Sequence, residues 1–307
     1  MDCKNGSVVT EFILVGFSGD WNLQVFCFVT FSLIYGATVV GNILIMVTVT
    51  ANSTLHSSMY FLLANLSFLD MCLSTTTTPM MITDLLAEHK TISLWGCMAQ
   101  MFFMHFFGGA EMTLLIVMAF DRYVAICKPL HYRTIMNQKL LSRFVAFSWL
   151  IGFIHTMSQM VLTVNLPYYG HNVVDNIFCD LPLVIKLACI ETYILELFVI
   201  ADSGLLSFTC FIFLLVSYSA ILATVKHKSP GSLSKALSTL SAHIIVVTLF
   251  FGPCIFIYAW PFGSFASNKT LAVFYTVITP LLNPIIYTLR NQKMQKAMRK
   301  SWLQQIS

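Results

Sequence analysis

Charged side chains are scarce in this sequence. Asp, Glu, Lys and Arg make up 10% of its 307 residues and hydrophobic residues make up 57%, whereas a soluble domain carries about 25% charged residues. So few charges cannot cover the surface of a water-soluble protein of this length. The net charge of +4 gives no indication of nucleic-acid binding. The composition predicts one membrane domain that crosses the bilayer several times.

The sequence also lacks the short motifs of enzymes and metal sites. It contains no GxSxG, HExxH or Walker phosphate-binding motif, so the nucleophile, metal ligands and phosphate cradle that those motifs supply are not indicated. Its nine cysteines form no CxxC pair and have no His partners at metal-binding spacing. We therefore predict that the protein is not an enzyme and has no cofactor, apart from a structural sodium ion considered below.

Long apolar windows are abundant. A helix needs about 20 apolar residues to cross a bilayer, and seven windows of that length or more contain at most one Asp, Glu, Lys or Arg each. They are 21–55, 57–83, 91–120, 144–170, 203–225, 236–268 and 270–289. Strands of a membrane barrel are shorter, at about 10 residues. The sequence therefore predicts an all-α, seven-transmembrane helix bundle at 23–289, between an N-terminal segment at 1–22 and a tail at 290–307.

The Lys and Arg residues predict the orientation in the membrane. Thirteen of the 17 lie on the side that holds the tail, and the cytoplasmic side is the basic one. The C-terminus is therefore predicted to be cytoplasmic and the N-terminus extracellular, so that the sequon at Asn5 is available for glycosylation. In the tail, Met294, Ala297 and Met298 share a helix face among basic residues. This pattern predicts a short amphipathic helix that lies on the membrane lipids.

Two carboxylates interrupt the apolar windows. Asp70 lies midway along the second window and Glu111 midway along the third, with the amides of Asn42 and Asn283 at similar depth. Ionisable groups are costly in lipid and mark functional sites by default. Their oxygen atoms could hold a sodium ion, or they could form a hydrogen-bonded packing node with one carboxyl protonated. The sequence leaves both interpretations open.

Several stretches resemble one receptor family. Asp121-Arg122-Tyr123 at the end of the third window and NPIIY at 283–287 in the seventh resemble the signatures of rhodopsin-like G-protein-coupled receptors. MAFDRYVAICKPLHY (118–132), LHSSMYFLLANLSFLD (55–70), SKALSTLSAH (234–243) and PLLNPIIYTLRN (280–291) are similar to those of olfactory receptors. HFFGGAEM (105–112) looks like one tetrapod subgroup. These blocks follow the family's order along the chain, and the chain is identified as resembling an olfactory receptor.

The resemblance implies a switch that couples an odorant to a heterotrimeric G protein. A small, mostly apolar volatile ligand would bind in the outer half of the bundle, and a stimulatory (olfactory-type) G protein would raise cAMP. The protein would lie in the plasma membrane of olfactory cilia. For Tyr218 and His243, an interfacial anchoring role is the other open interpretation. The residues implied in the switch are Asp121, Arg122, Tyr123, Tyr218, His243, Asn283, Pro284 and Tyr287.

The ligand pocket is expected between the outer halves of the third, fifth, sixth and seventh helices. Gly108 and Gly109 would either make room for a ligand or allow close helix packing. Met104 stands where amine receptors of the wider family carry an acid, which argues against a biogenic amine, while Asp202 leaves a polar or cationic odorant open. The candidates are Met101, Met104, His105, Gly108, Asp202, Ser203, Leu206, Phe251, Tyr258 and Thr276.

Some positions follow the family pattern and others depart from it. Cys97 and Cys179 match the family's disulfide between the third helix and the second outer loop. Tyr169 stands where the family usually has a cysteine, so Cys189 lacks its expected partner and is predicted to be a free thiol or to leave the loop less constrained. Ser58 replaces a proline at the start of the second helix, and Leu240 replaces a cysteine at the inner end of the sixth.

Two other functions compete with an odorant receptor. A transporter or channel would also be polytopic, but the sequence shows no inverted repeat and an odd number of spans suits simple duplication poorly. A receptor of the same family that acts outside the nose has the same sequence features, because the tissue of expression is not encoded in the fold.

Overall fold

A bundle of seven long helical segments forms the body of the protein. The computed structural model describes residues 7–17, 20–226, 232–259 and 265–306. In chain order the helices are α1 (Trp21–Ala51), α2 (Ser58–Leu86), α3 (Leu94–Cys127), α4 (Tyr132–Ile135), α5 (Gln138–Thr163), α6 (Leu181–Ile185), α7 (Tyr193–Lys226), α8 (Ser232–Ala259), α9 (Phe265–Val273), α10 (Thr279–Arg290) and α11 (Gln292–Ile306). A π-helical turn at Phe274–Ile278 joins α9 and α10 into the seventh segment.

The predicted all-α membrane bundle is confirmed. Five segments are long and apolar enough to cross a bilayer by length and composition: Trp21–Ala51, Leu94–Cys127, Gln138–Thr163, Tyr193–Lys226 and Lys269–Thr288. Of the other two, α8 contains an apolar stretch at Leu240–Phe256. Helix α2 has 29 residues and so is about 43 Å long at 1.5 Å per residue, although Asp70 and the hydroxyl residues at 74–78 make it more polar.

Apolar side chains face outward and several polar ones face inward, as expected for a protein in lipid. In α1, Leu33 and Phe26 are 70% and 66% exposed, whereas Thr38 and Asn42 are buried. Lipid replaces water as the solvent for the outer surface, so burying apolar groups does not drive the helices together. The bundle is therefore held by close packing and by interhelical hydrogen bonds such as that from Asn42 Nδ2 to the Pro280 carbonyl (3.1 Å).

Helices α3 and α5 approach each other closely. A Cβ atom on Gly152 would lie 2.5 Å from the Phe106 carbonyl oxygen and 2.8 Å from the Ala110 nitrogen. A Cβ on Gly109 would lie 3.1 Å from Gly152 Cα. Small residues allow backbones to approach this closely in membranes. This contact fixes the part of α3 that carries His105 and Gly108.

A small sheet covers one end of the bundle, which we call the sheet end. Strand β1 (Glu11–Leu14) pairs antiparallel with β2 (Thr91–Ser93) and parallel with β3 (Val173–Val174). Phe12 and Leu14 point into the protein and are buried. The Cys97–Cys179 disulfide ties the start of α3 to the loop after β3 (S–S 2.07 Å), in agreement with the expected pairing. The sequence did not predict the sheet.

Cys189 is disulfide-bonded, so the prediction of a free thiol is wrong. Its partner lies outside the described residues, as does Asn5 with its predicted glycosylation. Cys189, in the segment between α6 and α7, donates a backbone hydrogen bond to the Pro167 carbonyl (2.8 Å). Its Sγ lies 3.4 Å from the carbonyl oxygen of Tyr169, the residue that stands in place of the family's usual cysteine. The loop is therefore constrained despite that replacement.

We expect Cys189→Ser to lower surface display of the protein several-fold, because loss of a native disulfide commonly costs about 2–5 kcal/mol. Antibody staining of intact cells would measure it, and non-reducing peptide mapping of the parent protein should find Cys189 cross-linked. Cys27→Ser is the matched control, since Cys27 is a free cysteine. Equal display of the two variants, with Cys189 alkylated under non-reducing conditions, would contradict the bond.

Candidate functional site

A cavity of about 80 Å³ lies inside the bundle towards the sheet end. It is small beside the roughly 300–1,000 Å³ of pockets for drug-sized ligands, so it suits a molecule with few heavy atoms. Helices α2, α3, α5, α6, α7, α8 and α9 contribute to its wall, together with the π turn and Asp180 just before α6. The lining residues are Leu73, Met104, His105, Gly108, Gly109, Met112, His155, Asp180, Pro182, Ser203, Phe250, Cys254, Ala272 and Tyr275.

Four of the residues predicted to bind ligand line this cavity: Met104, His105, Gly108 and Ser203. The structure places five others away from its wall. Asp202 lies behind the wall and bonds to Ser158, and Met101 packs beneath the sheet with Phe12. Leu206 and Phe251 pack in the largest group of buried apolar side chains, and Thr276 donates to the Ala272 carbonyl of its own segment. The side chain of Tyr258 lies outside the described residues.

Sequence reasoning missed His155 and Asp180 in the cavity wall. The windows were defined by Asp, Glu, Lys and Arg, so a histidine within the fourth window did not stand out. The same argument that marks ionisable groups in membrane helices as functional would have found His155. Asp180 belongs to a loop, where only the fold shows that the side chain reaches the bundle.

The polar side of the cavity is a hydrogen-bonded group that spans α3, α5 and α7. His105 Nδ1 lies 2.8 Å from the Met101 carbonyl oxygen, and His155 Nδ1 lies 3.1 Å from Asp202 Oδ2. The two rings are neighbours, with centroids 6.2 Å apart. Gln159 Nε2 donates to Ser203 Oγ (2.6 Å) and to Asp202 Oδ2 (3.2 Å). These contacts hold the polar groups in place before any ligand arrives.

Asp180 sits at the lid of the cavity, just before α6. Burial raises the pKa of its carboxyl to about 6, partly offset by the backbone N–H of Leu181 and the charge of Lys186. With this pKa the carboxyl is mostly ionised at neutral pH and adds negative charge to the cavity wall at the sheet end.

The two glycines of α3 have different roles. A Cβ on Gly108 would meet no atom within 4 Å, although Gly108 lines the cavity. A methyl group there would occupy the cavity without straining the backbone. Gly109 instead packs on Gly152. Of the two uses considered from the sequence, making room fits Gly108 and helix packing fits Gly109.

The opposite end of the bundle, which we call the basic end, holds Asp121 and Arg122. Arg122 Nη2 lies 3.1 Å from Asp121 Oδ2, and Asp121 is fully buried. Tyr132 of α4 donates to Asp121 Oδ1 (2.9 Å) and also contacts the Ser58 hydroxyl. Burial and the Asp121 charge raise the pKa of Tyr132 to about 12, so its hydroxyl stays protonated and able to donate. Ser58 thus bonds to Tyr132, the same residue that donates to Asp121. A proline side chain has no polar atom and cannot make this contact.

The other residues implied in the switch surround this pair. Tyr218 and His243 are buried and bonded to each other (Oη to Nδ1, 2.8 Å), so an interfacial anchoring role for His243 does not fit. Tyr287 is buried as well, and Tyr123 packs beside the main core. Pro284 is buried in α10, where its ring faces Gly41 of α1. Leu240 is fully buried in the first half of α8, at the basic end.

Asp70 and Asn283 form a packing node in the middle of the bundle. Asn283 Nδ2 donates to both carboxyl oxygens of Asp70, at 2.8 and 2.9 Å, and Glu111 is fully buried nearby. Across residues 7–17, 20–226, 232–259 and 265–306, no group of three or more His, Cys, Asp and Glu side chains is arranged to hold a metal ion. The structure therefore gives the predicted sodium site at Asp70 and Glu111 no support and favours the hydrogen-bonded node.

Seven membrane helices, a cavity under the disulfide-tied loop and an Asp-Arg pair at the basic end define a seven-helix receptor bundle. The family model described as "Olfactory receptor" matches residues 31–305. Human olfactory receptor 4L1 is 80% identical over 307 residues, covering 100% of this chain and 98% of that protein. Human olfactory receptor 4K14 is 60% identical over 301 residues (98% and 97%) and 4K3 is 59% identical over 300 residues (98% and 95%).

The chain belongs to the olfactory receptor family. It is therefore a multi-pass membrane protein of the G-protein-coupled receptor class and not an enzyme. The transporter or channel alternative is set aside by this membership.

Proposed function

We propose that this receptor binds small, mostly apolar volatile molecules in the cavity lined by Met104, His105, Gly108 and Ser203, and that it activates a stimulatory (olfactory-type) G protein that raises cAMP. The observation that carries the proposal is the cavity itself, which is small and apolar on most of its wall. Pockets that bind small molecules combine such walls with a few placed polar groups. No metal ion or cofactor is part of the proposal.

We place the sheet end outside the cell and the basic end in the cytoplasm of olfactory cilia. Support comes from the excess of Lys and Arg at the basic end and in the tail. The Cys97–Cys179 bond at the sheet end agrees, because disulfides form in oxidising compartments. Helix α11 buries Met294 and Ala297 and would lie along the lipid surface beside the G protein.

A cAMP reporter assay in cells against a broad odorant panel tests this function. We expect a response to at least one small compound, and we expect Gly108→Ala to weaken its potency by about tenfold, equivalent to about 1.4 kcal/mol, because the added methyl group fills part of the cavity. Gly36→Ala is the matched control, since a Cβ there also meets no atom within 4 Å but Gly36 lies on α1, away from the cavity wall.

Both variants should reach the surface like the parent, because neither Cβ clashes and alanine favours a helix over glycine. Potency unchanged in Gly108→Ala, for every active compound, would place the ligand elsewhere.

A further inference from the structure

The cavity wall offers hydrogen-bond acceptors in a fixed arrangement, beginning with His105. The Met101 carbonyl oxygen can only accept, so His105 Nδ1, 2.8 Å away, must carry the ring hydrogen. In the neutral ring, Nε2 is then an acceptor. Nδ1 faces the backbone of α3, so Nε2 lies on the opposite edge of a ring that lines the cavity.

In His155, as in His105, a hydrogen-bond acceptor places a ring hydrogen on Nδ1. Its Nδ1 lies 3.1 Å from Asp202 Oδ2, an oxygen that also accepts from the Ser158 hydroxyl (3.0 Å) and the Gln159 amide (3.2 Å). Ser158 Oγ lies closer to the His155 carbonyl oxygen, at 2.7 Å, so its one hydrogen is divided between two acceptors. The imidazole and amide N–H groups directed at Asp202 Oδ2 are what an ionised carboxylate takes. Asp202 therefore fixes a hydrogen on Nδ1 of His155, and the assignment of the cavity's acceptor rests on His105 alone.

Ser203 supplies the complementary donor. Its Oγ accepts the Gln159 amide hydrogen (2.6 Å), so the hydroxyl hydrogen of Ser203 is directed elsewhere. Ser203 and both histidines line one small cavity. A ligand group that both donates to the His105 imidazole and accepts from the Ser203 hydroxyl would form hydrogen bonds with both side chains.

The charges around the cavity narrow the ligand further. The cavity's lining contains Asp180 and no Lys or Arg, and Asp202 lies directly behind His155. A carboxylate ligand would meet like charge with no cation to pair it. Leu73, Met104, Met112 and Phe250 supply an apolar surface for a short carbon skeleton.

We propose that the cavity selects small alcohols, whose hydroxyl donates to His105 Nε2 and accepts from Ser203 while the carbon skeleton packs on Met104, Met112 and Phe250. The ether or aldehyde of the same skeleton accepts but cannot donate, and would leave the imidazole nitrogen buried and unpaired, which is costly. The inference rests on the proposed function, because it names the ligand class of the same cavity.

The test compares matched compounds on the full-length receptor. The straight-chain primary alcohols from butanol to octanol are each compared with the methyl ether, aldehyde, carboxylic acid and primary amine of the same skeleton in the cAMP assay. We expect the active alcohols to be at least about tenfold more potent than their ethers and aldehydes, which corresponds to about 1.4 kcal/mol. The acids should be the weakest class.

Two substitutions test whether His105 and Ser203 cause the preference for alcohols. In His105→Phe the ring is kept and Nε2 is removed, so the alcohol-to-ether potency ratio should fall to near unity. His171→Phe is the matched control at an exposed histidine of the sheet end and should keep the ratio. Ser203→Ala should weaken alcohols but not amines, because a protonated amine has no lone pair to accept with. Each ratio is measured within one variant, so differences in surface display cancel.

The outcomes separate the two proposals. Ethers or aldehydes as potent as their alcohols, or an unchanged ratio in His105→Phe, would overturn the alcohol preference while leaving odorant binding in the cavity intact. Silence towards every compound of both the matched series and the broad panel would overturn the proposed function and this inference together.

Discussion

Replacing Gly152 with alanine should remove most of the receptor from the cell surface. The new Cβ would lie 2.5 Å from the Phe106 carbonyl oxygen, 2.8 Å from the Ala110 nitrogen and 3.1 Å from the Ala110 Cβ. The first two atoms belong to the backbone of α3, so no side-chain rotation relieves the contact and the two helices must separate. Overpacking costs about 1–3 kcal/mol even where side chains adjust, against a total stability of about 5–15 kcal/mol.

Surface staining of a tagged receptor and thermal unfolding in detergent would measure the loss. Gly252→Ala and Gly36→Ala are matched controls, because a Cβ at either position meets no atom within 4 Å. Gly109→Ala should be intermediate, since its closest contact is 3.1 Å to Gly152 Cα. Parent-level display of Gly152→Ala would show that α3 and α5 do not approach as closely in the membrane as described.

The helices were predictable because the bilayer imposes their length. Among the described residues, most of each window with few charges is helical, but the bounds differ. The fifth window begins at residue 203, whereas α7 begins at Tyr193, and the seventh window contains the π turn at Phe274–Ile278. The sheet was not predictable in the same way. Strand β1 has four residues and pairs with segments about 80 and 160 positions further along the chain, so no local pattern encodes the pairing.

The cavity was partly predictable for a geometric reason. Met101, Met104, His105 and Gly108 follow i, i+3, i+4 and i+7 and share one face of α3, so the face was identified correctly. The sequence did not predict which residues along that face of α3 reach the cavity. Met101 lies one turn nearer the sheet end, where it packs with Phe12 and the Cys97–Cys179 bond. The end of the cavity is therefore set by the sheet and by the loop that carries Cys179, and neither was predicted from the pattern on α3.

The disulfide of Cys189 and the role of Ser58 show a further limit. Departures from the family pattern suggested a free thiol at Cys189 and singled out Ser58 at the start of the second helix. The structure instead gives Cys189 a covalent partner and gives Ser58 a hydrogen bond to Tyr132. A departure from a pattern identifies the position that changed, whereas the new partner comes from the tertiary contacts.

Arg122→Ala should abolish the odorant response at matched surface display. Arg122 is mostly buried at the basic end, with 13% of its side chain exposed, and pairs with the fully buried Asp121. Asp121 is held from its other side by Tyr132 (2.9 Å), so the carboxylate is fixed in this state and Arg122 is the member of the pair free to change partner. A guanidinium can then make several directed hydrogen bonds to a G protein. We expect at least a tenfold loss of cAMP response, or about 1.4 kcal/mol of coupling.

Arg133→Ala is the matched control, because Arg133 lies on α4 at the same end and is exposed. It removes the same charge and should leave the response near the parent level. Asp121→Asn separates signalling from folding: it weakens the pair but keeps Arg122, so basal cAMP should rise if the pair holds the resting state. Loss of response in Arg122→Ala together with raised basal activity in Asp121→Asn would identify a switch. Silence in both variants, at matched display, would mean that the pair only stabilises the fold.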